Sequence, residues 1–467
     1  IHEPGRPVVA IDACGPAAAL ATPAFYAGQT AIPPRGPQAA LTVGGTIAGW
    51  ARALELAAGW GRALPLERLL ADAQRHARGG YAVTASQEAL TRAKLEGLKS
   101  APGFAEHFLV NGAVPTVGQV LRQPVLAETL ATLAARGLDD FYRGELGARI
   151  GAELERLGSP LRTSDLAAYR AQVVEPLAVR LSDATVFNLP PPTQGLATLM
   201  ILGLFERLGV RQGEGFDHLH GLVESTKRAF RVRDRVVTCP SRLPADPRSF
   251  LEPAALDALA AGIYRARALP WPDPAAPGDT IWMGAVDREG RAVSFIQSIY
   301  WEFGSGTVLR DCGIHWQNRG ISFSLDPKAL NALKPGAKPF HTLNPSLARF
   351  DDGRVMPFGT MGGEGQPQTQ AAVFTRYARF GQGLQQAVSA PRWLLGRTWG
   401  DESTTLKLEN RIDPAVVHAL RDAGHDVELL PEAYSDTMGH AGALVRHPDG
   451  RIEGAADPRS DGLVAGV

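Results

Sequence analysis

The stretch "PGDTIWMGAVDREGRAVSFIQSIYWEFGSG", Pro277 to Gly306, decides how this chain is read. It leaves a proline-rich loop, enters the apolar run Ile281–Asp287, turns through Asp287-Arg288-Glu289-Gly290 and returns as Ala292–Tyr300. Two such runs around an Asp/Gly turn predict a β-hairpin. Just upstream, "ALPWPDPAAPGD" (Ala268–Asp279) is too dense in proline for a helix or a central strand and reads as a linker. Thr280 stands where the linker becomes strand.

That position has a chemical use. A hydroxyl is a weak nucleophile and needs a base beside it. The residue's own α-amine is one such base, and it exists only if the chain is cut immediately before the residue. With a pKa of about 7.7–8.0, a free α-amine is partly unprotonated near neutrality. The arrangement needs a loop upstream that moves away after cleavage, a strand downstream that holds the nucleophile, and an oxyanion site. The linker, the Asp279–Thr280 junction and the strand supply the first two. On this stretch alone, a threonine that merely opens a strand stays open as the alternative. "GTMGGEGQPQTQ" (Gly359–Gln370) is a candidate for the third, because glycines bring backbone N–H groups close to a substrate and the following helix adds its positive end. A purely structural turn is the competing reading. A phosphate loop is not, since the P-loop pattern is missing.

The 467 residues, 45% of them hydrophobic, are enough for a large core. Lys+Arg and Asp+Glu are each 48, which argues against nucleic acid and anionic membranes as partners. No apolar run is long enough for a membrane-spanning helix. Cys14, Cys239 and Cys312 are far apart, with no C-x-x-C or H-E-x-x-H, so neither a disulfide framework nor a metal site is expected. No cofactor is expected either, and a cytoplasmic setting fits the sparse cysteines. The first residues read as half of a hairpin: Ile1–His2, a turn at Glu3-Pro4-Gly5, then Pro7–Asp12. On that reading the N-terminus is truncated and a partner strand is missing.

Residues 41–150 read mostly as helix, with apolar residues such as Ile47, Trp50, Ala51, Leu54 and Ala57 at spacings of three and four. Residues 125–158 suggest two helices with a glycine stop between them, and "TSDLAAY" a short helix with a side-chain cap. Short strands flank Ser182-Asp183, a Pro190–Pro192 turn follows, and a helix starts near Gln194. In "FDHLHGLVESTKRAFRVRDRVV" the basic run Lys227–Arg235 reads as a solvated helix face. Beyond the linker come strand, Asp-Asp-Gly turn, strand, glycine-rich turn and helix, in blocks that predict stacked sheet and helix layers.

Taken in order, these segments resemble the gamma-glutamyltransferase family of N-terminal-nucleophile hydrolases. The matching pieces are "AIDACGPAAA", "VGGTIAGW", "DDFYRGELGARI", "TSDLAAYRA", "NLPPPTQG", "AFRVRDRVVTCP", "GDTIWMGAVDREGRAVSFIQS", "FGSG", "KPFHTLNPSLA", "GTMGGEGQPQTQ", "QAVSAPRW" and "AADPRSDGLVAG". The resemblance implies an α+β fold, a four-layer αββα sandwich forming a single large domain. It implies a proenzyme cut between Asp279 and Thr280 into a mostly helical fragment, 1–279, and a smaller one, 280–467, held together as a heterodimer. Further dimerisation stays open. Thr280, Gly362, Gly363 and Ser298 are the implied catalytic residues.

Departures from the family pattern bear on substrate. The Arg that holds a glutamyl α-carboxylate is replaced by Cys14, an Asn ahead of "FGSG" by Tyr300, an Asp that takes the α-amine by Ser322, and a Ser-Ser pair by His341-Thr342. The grip on an amino acid is gone while the nucleophile and glycine pair remain. The pattern is similar to a sister branch that includes oxamate amidohydrolases of purine breakdown. This implies a small-molecule amide substrate whose carboxylate needs a cation or several donors; Arg319 and His341 are the candidates, Arg319 otherwise being a loop cap or surface charge and His341 a core residue. A gamma-glutamyl enzyme, a cephalosporin-type acylase and a non-catalytic binding relative are the alternatives.

Overall fold

The expected hairpin is present: strands Asp279–Val286 and Ala292–Tyr300 pair as a two-stranded sheet. Its turn is closed by Asp287 N–H donating to Arg291 O (3.1 Å) and Gly290 N–H to Asp287 O (3.1 Å). The computed structural model describes residues 1–61, 63–271, 279–396 and 403–466, so most of the predicted linker, residues 272–278, lies outside the described residues. The chain forms two units. The first comprises Ile1–Ala10, Val174–Ser298 and Phe340–Val467, and the second Ile11–Val173 and Ile299–Pro339.

The first unit is built on a six-stranded antiparallel sheet. Its order is Ile452–Ala456, Ala441–Arg446, Val355–Thr360, Ser346–Phe350, Ala184–Asn188, Leu177–Arg180. The central strand Val355–Thr360 is buried along its whole length, because both of its faces are covered. Helices Gly195–Arg207, Phe216–Val236 and Gln366–Phe374 pack together as a helical layer, and the first and third of these pack on strands of the sheet. The hairpin strand Asp279–Val286 packs against the strands Val355–Thr360 and Ala441–Arg446. Residues Gly195–Phe205, "GLATLMILGLF", are all buried and apolar except Thr198, whose hydroxyl donates to Gln370 Oε1 (2.9 Å), as a helix wrapped on every side requires.

One expectation needs correction here. The Lys227–Arg235 run is only partly a solvated face: Lys227 and Arg233 are each 2% exposed, Arg228 and Arg231 are half-buried, and Arg235 is exposed. The Phe216–Val236 helix packs against Gly195–Arg207, Gln366–Phe374 and Pro414–Asp422, so Lys227 and Arg233 fall on interior faces and are neutralised there by Glu224 and Glu364. The first residues turn back on themselves as the sequence reading expects, with Arg6 N–H donating to Glu3 O (3.1 Å). Ile1 and Val9 exchange hydrogen bonds (2.9 and 3.1 Å), and His2 exchanges two more with Ala292 (2.8 and 2.9 Å).

The second unit carries the predicted helices, Thr46–Ala57, Leu66–Gly79, Ala85–Leu98, Pro124–Arg136 and Glu145–Leu157, with a short extra turn at Asp140–Arg143 that sequence periodicity is too coarse to detect. Helices Leu66–Gly79 and Pro124–Arg136 pack on each other through small and apolar residues. Helix Thr163–Ala168 is capped from within: Asp165 accepts from Arg162 N–H (2.8 Å). Phe303 meets Phe104 and Phe108 edge to face, and these two rings tilt against each other. Among the described residues, no helix is long and apolar enough to cross a membrane.

Candidate active site

Thr280 is the second residue of its strand, and the hairpin register sets its neighbours. Counted outward from the Asp287–Arg291 pair, Thr280 stands opposite Ser298 on the same face. That face looks onto the six-stranded sheet, because Trp282, two residues on, lies against it. A Cβ at Gly359 would stand 2.1 Å from Trp282 Cδ1, and one at Gly442 2.6 Å from Cζ3. Gly359 and Gly442 are cross-strand partners, so together they make a flat bed for the indole. Trp282 Nε1–H donates to Ser294 Oγ (2.9 Å). Alternate residues Ile281 and Met283 point outward, 50% and 42% exposed.

The strand's direction follows from the same contacts. Trp282 lies at Gly442, and a Cβ at Gly284 would meet Leu444 Cδ1 (3.5 Å). The hairpin strand therefore runs alongside Ala441–Arg446 in the same sense. Its start runs back past Ala441 and Thr360, which pair, toward His440 and Met361, where Met361 N–H donates to His440 O (3.1 Å). Thr280 is thus directed toward the end of the sheet where the glycine pair begins.

Gly362 and Gly363 are buried with φ of 116° and 51°, left-handed backbone that glycine adopts readily. Gly362 packs on another left-handed glycine: a Cβ there would sit 3.3 Å from Gly439 Cα, and a Cβ on Gly439 only 2.3 Å from Met361 O. A single turn of 3₁₀ helix, Gly363–Gly365, leads into helix Gln366–Phe374, so the turn sits at a positive helix end. Gly365 N–H donates to Gly362 O (2.8 Å), closing it.

His341 and Thr342, also in this unit, are 8% and 1% exposed. His341 N–H donates to Pro192 O (2.8 Å), and Gln194 N–H to His341 O (3.0 Å). Gln194 was not singled out from the sequence, although it sits inside the quoted "NLPPPTQG" segment. Its side-chain amide donates to Thr342 O (3.1 Å) and Gly363 O (2.8 Å), joining the His341-Thr342 segment to the glycine turn.

The second unit holds the remaining sequence candidates. Cys14 is buried, and its N–H donates to Asp12 Oδ1 (2.8 Å). Asp12 Oδ2 pairs with Lys338 Nζ (2.6 Å). Burial first, then the Asp12 carboxylate, pushes the Cys14 thiol well above its usual range, which keeps it protonated and unreactive. Arg319 is 5% exposed, so it is no surface charge; its guanidinium stacks on the Tyr300 ring with Cζ 3.2 Å from the centroid. Arg319 N–H donates to Gln317 Oε1. Tyr300 is left-handed, φ 80°. Buried Asn318 accepts from Trp301 N–H (3.1 Å), donates its own N–H to Ile299 O (3.1 Å) and so fixes the chain on both sides of Tyr300. Ser322 closes the short 3₁₀ turn Arg319–Ser322 and is half-buried.

One buried cluster in the first unit has metal-ligand chemistry: His220, Glu224 and His425 bring ligand-type atoms within 4.8 Å of one another. Its hydrogen bonding fits a closed protein network better. His220 Nε2–H donates to Tyr264 O (2.8 Å), which leaves Nδ1 to accept from His425 Nε2–H (2.9 Å). Glu224 takes Lys227 Nζ (2.7 Å) and Leu269 N–H (3.2 Å), so an ammonium already supplies the cation.

The family model for gamma-glutamyltranspeptidase matches residues 1–467. The oxamate amidohydrolase proenzyme of Klebsiella pneumoniae is 56% identical over 467 residues, covering 100% of this chain and 88% of that protein. A glutathione hydrolase-like proenzyme of Bacillus subtilis is 36% identical over 468 residues, 100% of this chain and 88% of that protein. The crystal structure of a cephalosporin acylase from Bacillus halodurans superposes with a TM-score of 0.88 at 32% identity, covering 97% of this chain and 84% of that one. The fold is accordingly the αββα sandwich of the N-terminal-nucleophile hydrolases.

Proposed function

Because this chain belongs to the gamma-glutamyltranspeptidase family and is an amide hydrolase of it, we propose that it cuts itself before Thr280 and then hydrolyses the amide of a small carboxylate such as oxamate. Cleavage leaves fragments 1–279 and 280–467 associated as a heterodimer. Thr280 Oγ attacks the amide carbon while the new α-amine takes the hydroxyl proton. The carbonyl oxygen becomes an oxyanion facing the N–H groups of Gly362 and Gly363. The C–N bond breaks, the α-amine returns the proton, and ammonia leaves. Water then attacks the acyl-threonine ester, freeing Thr280 and the second carboxylate. Oxamate and water give oxalate and ammonia.

The observation that carries this reading is the seating of Trp282 on Gly359 and Gly442, from which the strand runs back toward the glycine turn. The choice of substrate draws support from the Klebsiella relative and from the replacements at Cys14, Tyr300, Ser322, His341 and Thr342, which leave no amino-acid clamp. For the carboxylate we assign Arg319, whose planar fork suits two parallel hydrogen bonds.

The test has two arms. N-terminal sequencing of the smaller fragment should read Thr-Ile-Trp-Met, and Thr280→Ala should remain one inactive chain. Any other new N-terminus, or turnover by Thr280→Ala, removes Thr280 as nucleophile. Ammonia release from oxamate should exceed cleavage of γ-glutamyl-p-nitroanilide in kcat/KM; the reverse order favours a gamma-glutamyl enzyme.

A further inference from the structure

We infer that Gln194, Arg233 and Glu364 form a buried clamp that sets the backbone of the Gly362–Gly363 turn, making them positioning residues for amide hydrolysis. The inference rests on the reading of that turn as the oxyanion site.

Three successive residues of the turn are each held at a different point. Gly362 O accepts from Gly365 N–H (2.8 Å). Gly363 O accepts from Gln194 Nε2–H (2.8 Å). Glu364 takes Arg233 Nη1–H through its carboxylate. The last two anchors are joined, since Arg233 Nη1–H also donates to Gln194 Oε1 (3.1 Å). Arg233 is fixed in turn: its Nε–H donates to Asp234 Oδ1 (2.7 Å), and its guanidinium lies 3.8 Å above the Phe230 ring. Gln194, Arg233 and Glu364 are 0, 2 and 4% exposed.

The cost of this arrangement argues for a positional role. A buried ion pair gives little net stability over packed apolar groups, because both charges lose water. Meanwhile two successive left-handed glycines leave this buried turn free to adopt other backbone conformations, and an oxyanion donor acts only if it is aimed beforehand. Fixing Gly362 O orients the Gly363 N–H, which shares its peptide plane, and fixing Gly363 O holds the adjoining Gly363–Glu364 plane. The Glu364 anchor stops the turn from rotating about that plane. Gln194 also donates to Thr342 O (3.1 Å), so the turn is held in register with the neighbouring His341-Thr342 segment.

The experiment measures kcat and KM for oxamate, per folded and processed molecule, in Gln194→Ala, Glu364→Ala, Glu364→Gln and the double alanine variant. A misplacement of about 1 Å costs on the order of 10²-fold in rate, so both alanine variants should lose about that much kcat with little change in KM. Glu364→Gln keeps an acceptor for Arg233 and should recover most of the loss. The double variant should be no slower than the worse single, because both act on one turn. A lowered melting temperature with wild-type kcat, a rise in KM alone, or fully additive losses would each overturn the inference. If Gln194→Ala does not fold, Gln194→Asn, too short to reach both carbonyls, carries the same expectation. Thr280→Ala separates the two levels: turnover there defeats the nucleophile assignment, whereas a dead Thr280→Ala beside a wild-type Gln194→Ala defeats only the clamp.

Discussion

Trp282 lies directly on Gly359: a Cβ at Gly359 would stand 2.1 Å from Trp282 Cδ1 and 2.4 Å from Nε1. The backbone of one sheet therefore carries the ring that seats the other. Gly359→Ala must push the indole away or shift the strand that begins at Asp279. Overpacking of this kind costs about 1–3 kcal/mol. The expected outcome is a lower urea midpoint together with slowed self-cleavage, read as persistence of the full-length band on a denaturing gel. Normal processing in Gly359→Ala would mean that Trp282 does not set the position of Thr280.

The hairpin, the strands around Ser182-Asp183 and the glycine-rich turn were legible because each depends on local chemistry: alternation, turn residues and the backbone freedom of glycine. What local pattern misjudges is the surroundings of a helix. The Lys227–Arg235 run looks amphipathic, yet Arg233 is buried because helices pack on several sides of it and Glu364, far along the chain, meets it. The same holds for Gln194, whose two carbonyl partners come from residues 342 and 363. Trp282 was invisible as a spacer because Gly359 and Gly442 become neighbours only through strand pairing.

Arg319 and Tyr300 give a second prediction. A desolvated guanidinium–ring contact contributes about 2 kcal/mol, and an ammonium reproduces neither the stack nor the fork. Arg319→Lys should raise KM for oxamate and lower kcat/KM by at least about tenfold, the equivalent of roughly 1.4 kcal/mol. Tyr300→Asn should ease the left-handed backbone at φ 80° while removing the platform, so the melting temperature holds as kcat/KM falls. Unchanged oxamate kinetics in Arg319→Lys would move the carboxylate grip to another residue.

His218 predicts a pH effect on stability. Its Nδ1 accepts from Glu214 N–H (3.0 Å), so the proton sits on Nε2, which donates to Thr375 Oγ1 (3.0 Å). Burial first, then Arg376, lowers its pKa from 6.5 to about 3, against an opposing pull from Glu214. The unfolded chain therefore binds more protons between those values. The stabilisation is complete above pH 6.5 and is lost as pH falls toward 3. The slope is about 1.4 kcal/mol per pH unit for each proton. Urea melts from pH 7 to 5 should show stability falling, with a shallower slope in His218→Gln. An identical slope in both proteins would remove His218 from the titration.

The last prediction concerns the buried ions behind Gly439. Arg392 and Arg459 meet Asp457, and Arg459 also meets Glu409, all four at 0–1% side-chain exposure. Burial alone would raise the Asp457 pKa, but Arg392 and then Arg459 outweigh it and lower it from 3.8. Arg392 Nη1–H donates to Gly439 O (2.8 Å) and Met438 O (3.3 Å), and Asp457 Oδ2 accepts from Ala441 N–H (2.6 Å). The network thus grips both ends of the segment whose Gly439 packs on Gly362. Asp457→Asn keeps the shape and leaves two buried guanidinium groups with less counter-charge. Breaking one partner of such a network costs about 3–5 kcal/mol. Urea unfolding should show a loss of that size. Hydrogen exchange should quicken at residues 436–441 and 361–365 before it quickens in the Gly195–Arg207 helix. Uniform acceleration across the unit would show that Asp457 supports the whole core; acceleration confined to the two segments would show that it holds Gly439 against the glycine turn.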